Sequence, residues 1–210
     1  MLKLPLKSIS LRYLLPFLAI YLGLLAFSYL PPVRTGIKDI ARTRTGKLLT
    51  SLLPDAIFIS DPNRINHTEL NSQITLAYGN RAAITQAVRQ EGSVGVDVRL
   101  LSYELDPTFL MGTFFFIALV LISPVTWKRK GISLLIGGLL LYAFNAVLVY
   151  AFAIQRIASA DIGIYELSAQ QFNWYKGIGN VLNNANIFVI PLVVWGLLTF
   201  RREDLKRFVD

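Results

Sequence analysis

Five asparagines stand inside long apolar runs: Asn145, and then Asn180, Asn183, Asn184 and Asn186. A side-chain amide carries two donors and an acceptor, and away from water each must find a partner. Counted from the same end of antiparallel helices, Asn145 lies about thirteen residues into its run and Asn186 about fourteen into the next, so at 1.5 Å per residue they reach similar depth. The chemistry predicted for them is an interhelical hydrogen bond, worth roughly 0.5–2 kcal/mol in a membrane. A polar groove holding a lipid headgroup or a partner's peptide is the functional alternative.

Covalent chemistry has few candidates. The chain has no cysteine and a single histidine, His67. That removes thiolate nucleophiles, iron–sulfur clusters and cysteine zinc sites together. His67 follows Asn66 in a turn-like polar stretch and reads as a surface residue, because hydrolysis needs a base beside an activated nucleophile and metal catalysis needs convergent ligands. Gly92-Ser93-Val94-Gly95 lacks both the P-loop lysine and the dinucleotide spacing. No catalytic, metal or cofactor-binding residue is expected. The carboxylates Asp106, Asp161 and Glu166 are what an enzyme acting on lipid or polymer would have to use.

The elements around these residues are predominantly apolar. Hydrophobic residues make up 54% of the 210 and charged residues only 16%, too lopsided for an ordinary soluble domain. Leu14–Leu30, Phe109–Val125, Ile132–Ile154 and Ile178–Leu198 are charge-free runs of roughly 17 to 23 residues, suited to a hydrocarbon core about 30 Å thick. They predict an α-helical polytopic membrane protein with four transmembrane helices: 11–31, 108–126, 132–154 and 178–200, the last followed by a tail, 201–210. Phe27 to Pro32 has bulky residues and prolines where a signal peptidase needs small ones, so the first helix reads as an uncleaved signal anchor.

The net charge of +8 is a topology signal. Nearly all of the excess sits in Lys3, Lys7 and Arg12, in Lys128-Arg129-Lys130, and in Arg201, Arg202, Lys206 and Arg207, whereas residues 32–108 and 155–176 are almost balanced. The positive-inside rule then puts both termini in the cytoplasm, and nucleic acid is not an expected partner.

Residues 32–107 predict a small extracytoplasmic α/β segment between helices one and two. Val33 to Leu53 repeats apolar residues at helical spacing with Arg34, Lys38, Arg42, Arg44 and Lys47 between them, a basic amphipathic helix for a membrane surface or for covering a sheet. Strands follow at Ala56–Ser60 and Gln73–Tyr78, a short helix at Arg81–Gln90, and a strand at Val94–Tyr103. In the last, Val94, Val96, Val98 and Leu100 alternate with Gly95, Asp97, Arg99 and Leu101, a period of two that buries one face. A segment this small needs support from membrane, helices or another protein. Gly137-Gly138 in the third run predicts close helix packing.

Leu105-Asp106-Pro107, the hydrophobic hairpin with its basic turn, and Ile190-Pro191-Leu192-Val193-Val194-Trp195-Gly196 together resemble, in layout, small exosortase-associated membrane proteins of bacteria. The resemblance implies an accessory partner to a transpeptidase that sorts proteins to the cell surface. The enzyme itself would need a cysteine, which this chain lacks. The function expected is therefore a non-enzymatic accessory subunit of a bacterial inner-membrane complex, with membrane lipids and other membrane or periplasmic proteins as partners. The alternatives are a small lipid- or polymer-handling membrane enzyme and a transporter subunit with an asparagine-lined path. If Asn145 bonds across helices, Asn145→Leu lowers the melting temperature in detergent, and an unchanged melting curve refutes the bond.

Overall fold

The structure is a computed structural model, and it describes residues 6–60, 73–89, 97–160 and 162–199, with the side chains of 6–12 and 181–186 outside that description. It is mostly helical, with one small sheet: α1 (Leu6–Ser28), α2 (Pro31–Leu52), β1 (Ala56–Ile59), β2 (Gln73–Asn80), α3 (Arg81–Arg89), β3 (Val98–Glu104), a π-helical turn (Asp106–Leu110), α4 (Met111–Ile122), α5 (Trp127–Ser159) and α6 (Ala169–Thr199).

These helices correct the expectation of four transmembrane spans. Among the described residues one helix, α5, is both long and apolar enough to cross a membrane. The N-terminal stretch passes only as a broken pair, Tyr13–Ser28 with Pro31–Leu52, while Asp106–Ile122 and Ile187–Thr199 are apolar helices of 10–17 residues. At 1.5 Å per residue Asp106–Ile122 reaches about 26 Å, short of a 30 Å core, while Ile187–Thr199 is the C-terminal part of the 31-residue α6. The physical reason is that a charge-free run is not a helix. Leu14–Leu30 crosses the break after Ser28, and Phe109–Val125 includes the turn at Ser123-Pro124.

Helix ends differ as well. Residues 155–159 and 169–176, expected in a loop, are helical. Ser168 opens α6 through a reciprocal cap: its Oγ accepts from the Gln171 N–H at 3.2 Å, and its own N–H donates to Gln171 Oε1 at 3.0 Å. This Ser-x-x-Gln arrangement satisfies two orphan donors of a first turn. Pro31 and Pro32 occupy the first turn of α2, where a missing N–H costs nothing.

The described residues fall into two compact units. The first draws on Met1–Arg34, Phe109–Ala143 and Ala185–Asp210. Phe116, Val120 and Leu141 form its buried centre, with Leu134, Ile190, Val194 and Trp195 packed around them. Phe115 meets Phe17 edge-on at 5.4 Å, Tyr21 at 6.1 Å and Phe188 at 5.0 Å, so one α4 ring joins α1 to α6. Glycine permits the tightest approaches. A Cβ on Gly112 would stand 2.7 Å from the Ile187 carbonyl oxygen, and one on Gly137 would overlap the Phe116 ring, whereas one on Gly138 would meet nothing within 4 Å.

The second unit draws on Thr35–Thr108 and Phe144–Asn184. Its sheet has the order β1-β2-β3, antiparallel throughout. Side chains alternate across a strand, so the register assigns each residue to a face. Ala56, Phe58, Ile74, Leu76, Tyr78, Leu101 and Tyr103 share the inner face and are all buried. Leu76 approaches Gly46 of α2, whose Leu49 is fully buried and whose end runs into the equally buried Leu53. The basic amphipathic helix thus covers the sheet. Arg42, 5% exposed, is paired there with Asp39 at 2.9 Å.

The glycine pair separates packing from propensity. Gly137→Leu forces the Phe116 ring aside and should destabilise by about 1–3 kcal/mol. Gly138→Leu should leave thermal unfolding in detergent nearly unchanged. Equal losses at both positions would refute the contact.

Candidate functional site

The strand with the clearest alternation buries one face and exposes the other. In β3 the structure buries Leu101 and Tyr103 and leaves Val98 45% and Leu100 44% exposed, so within the described part of the strand the valine-bearing side faces outward. Pairing explains the choice. Leu101 lies beside Leu76, and Tyr103 beside Ile74, on the face that α2 covers. Both faces of β3 are apolar, and alternation alone does not say which is covered.

Across the outer face the register builds two rows, Ile59–Ala77–Leu100 and Ile57–Gly79–Val98. Large side chains flank a floor of alanine and glycine. The isoleucines are half-buried and Ala77 is 6% exposed. One end is partly roofed by α3, since a Cβ on Gly79 would come within 2.9 Å of Ile84 Cδ1. The Thr75 and Ser102 hydroxyls, 3.0 Å apart, satisfy each other at the other end. The result is an apolar face that ends in the polar pair Gln73–Glu104. Such a face suits packing against another surface.

Polar contacts hold this sheet to the helices of its own unit. Asn80 serves twice: its Oδ1 accepts from the N–H groups of Ala82 at 3.0 Å and Ala83 at 3.3 Å, capping α3, and its Nδ2 donates to the Gly163 carbonyl at 2.9 Å. The Tyr78 hydroxyl donates to the Arg156 carbonyl at 3.4 Å. Tyr165 lies near Asp55. Burial pushes the Tyr165 pKa above its ordinary value, with the backbone N–H opposing the shift and the carboxylate adding to it. Burial likewise raises that of Tyr78, against the lowering influence of Arg99 and Arg156. Both phenols stay protonated donors at neutral pH.

In the first unit the turn from α4 to α5 is equally defined. Ser123, 3% exposed, donates to the Leu119 carbonyl at 2.6 Å and accepts from Trp195 Nε1 at 2.8 Å. The Lys130 ammonium returns to the Leu121 carbonyl at the end of α4 and lies 4.7 Å from the Trp127 ring centre. Trp127 itself is 76% exposed.

The asparagines do not form a described cluster. Asn145 is half-buried in α5 and Asn180 is exposed in α6. Asn183, Asn184 and Asn186 lie in the α6 backbone, and their side chains are outside the described residues. His67, Gly92, Gly95 and Asp161 are also outside them. Of the carboxylates an enzyme would use, Asp106 is 6% exposed and Glu166 is exposed to solvent. Among the described residues no three of His, Cys, Asp and Glu lie close enough to hold a metal ion. Sequence reasoning missed the Ser168 cap, which the Ser-x-x-Gln spacing announces, and the Ser123–Trp195 bond, which joins residues 72 apart and has no local signal. Comparison with protein-family models, curated proteins and solved structures finds no match.

Trp195→Phe keeps the ring and removes the donor to a buried hydroxyl. It should cost about 1 kcal/mol, read as a lower melting temperature in detergent, and Ser123→Ala should cost less in that variant than in the wild type. Additive losses from the two changes would show that they do not act through one bond.

Proposed function

We propose that this chain is a non-enzymatic accessory subunit of a bacterial inner-membrane complex that presents the outer face of its sheet to a partner protein. The observation carrying this reading is the apolar row structure itself. Val98 and Leu100 are exposed in the same rows as the half-buried Ile57 and Ile59, across β2 from them, on a sheet whose other face carries the buried core. Exposed apolar surface of this kind is the usual mark of a protein contact, and among the described residues β3 pairs on one edge only, leaving its other edge available for a further strand. α5 supplies the membrane anchor. The layout shared with exosortase-associated proteins directs the proposal toward surface-protein sorting.

An enzyme acting on lipid or polymer would gather carboxylates in one open cleft. Asp106 and Glu166 instead occupy opposite environments, one buried and one in solvent.

The test is extraction in mild detergent from the native host, comparing the wild type with a Val98→Lys, Leu100→Lys double variant. Both side chains are exposed, so the variant should fold and melt as the wild type does. A partner recovered in stoichiometric amount with the wild type and reduced about tenfold or more with the variant supports the reading. Recovery of the chain alone, or a partner held equally by both, overturns it.

A further inference from the structure

We infer that Asn80 is a two-way latch, holding the α5–α6 connection against the sheet only while α3 is formed. The latch is a property of the second unit by itself, and its coupling to a partner on the outer face rests on the reading proposed above.

One side-chain amide makes both attachments. Its Oδ1 accepts from the first-turn N–H groups of Ala82 and Ala83, and its Nδ2 donates to the Gly163 carbonyl at 2.9 Å. An amide holds its acceptor and its donors on one rigid plane, so a helix that fixes the oxygen also fixes where the nitrogen points. Gly163 supplies the other half. Its φ of 65° is one that side-chain-bearing residues rarely adopt, while a Cβ there would meet nothing within 4 Å. The glycine therefore serves the turn that presents its carbonyl, and not close packing.

α3 is the element that can let go. It is nine residues long with no buried side chain, and helices shorter than about 12–15 residues are marginal without tertiary support. Ile84 gives that support at Gly79, but Val88, one turn further along the same flank, is 75% exposed. Elements with so few buried contacts open first. When α3 opens, the Ala82 and Ala83 N–H groups leave the amide, which turns to water, and Gly163 loses its donor. A partner seated on the outer face beside Ile84 would keep α3 closed and, through Asn80, keep the connection in place. The occupancy of the sheet is thereby passed to the segment that leads into the Ser168 cap of α6.

The chain has no cysteine, so Glu166→Cys, at an exposed position within the connection, takes a single nitroxide label. Electron paramagnetic resonance of the full chain in detergent micelles then reads the ratio of mobile to immobile label. Asn80→Asp keeps an oxygen for the α3 cap and removes the donor to Gly163. It should raise the ratio about fivefold, the factor for one ordinary hydrogen bond, with amide exchange in α3 unchanged. Ala83→Gly with Gln86→Gly, both at exposed positions, disfavours the helix and should raise the ratio by a similar factor while Asn80 is intact. Added to Asn80→Asp, the two glycines should change nothing further. A label already mobile without these changes, or a ratio unmoved by either of them, overturns the inference. A further rise on combining them sends the communication through other contacts and refutes the latch. Each outcome is read on the lone chain, so the partner reading stands or falls separately, by its extraction test.

Discussion

The second unit depends on the pairing of β2. It is the one described strand bonded on both sides, and its residues from Ile74 to Gly79 are buried. A strand so enclosed cannot turn its backbone groups to water, so each must be met by a neighbouring strand. β1 and β3 are held by that requirement, and their register with β2 decides which of their residues go inward. Leu101 and Tyr103 are inside because Leu76 and Ile74 are, and Val98 and Leu100 are outside for the same reason. The exposed face is thus a by-product of a pairing fixed at the centre of the sheet.

Local structure was largely legible in the sequence. The strands at residues 56 and 73, the short helix at 81 and the basic helix after residue 33 fall within a few residues of where composition and periodicity place them. Period two in β3 was also legible, but the buried side was not, because it is set by residues more than twenty positions away. Membrane crossing was the least legible feature. The absence of charge marks apolar chain, while spanning demands unbroken apolar helix, and Leu30 and Ser123-Pro124 interrupt it at points that a count of charges passes over. Of the candidate site residues, Asn145 and Asn180 were found in the helices expected for them, in unlike environments. The face that carries the functional proposal was visible only as an alternation whose direction pairing supplied.

The α4–α5 turn shows one cluster meeting several demands. Lys128-Arg129-Lys130 reads in sequence as a topology signal. In the structure the same residues also finish α4, through the Lys130 contact with its last turn, and position Trp127 at the surface. A charge pattern selected for one purpose is available for others once the backbone turns. The Trp195 indole, far along the chain, secures that turn through Ser123, so the last apolar helix takes part in a feature that the basic residues alone do not explain.

The outer face of the sheet also bears on how much of this protein a cell can hold. An apolar surface left bare in the lone chain invites association with other copies and recognition by quality-control proteases. A partner that covers Ile57, Ile59, Val98 and Leu100 would remove that liability. Copies made in excess of the partner would then be the short-lived ones, and the ratio of the two chains would be kept by turnover as well as by synthesis.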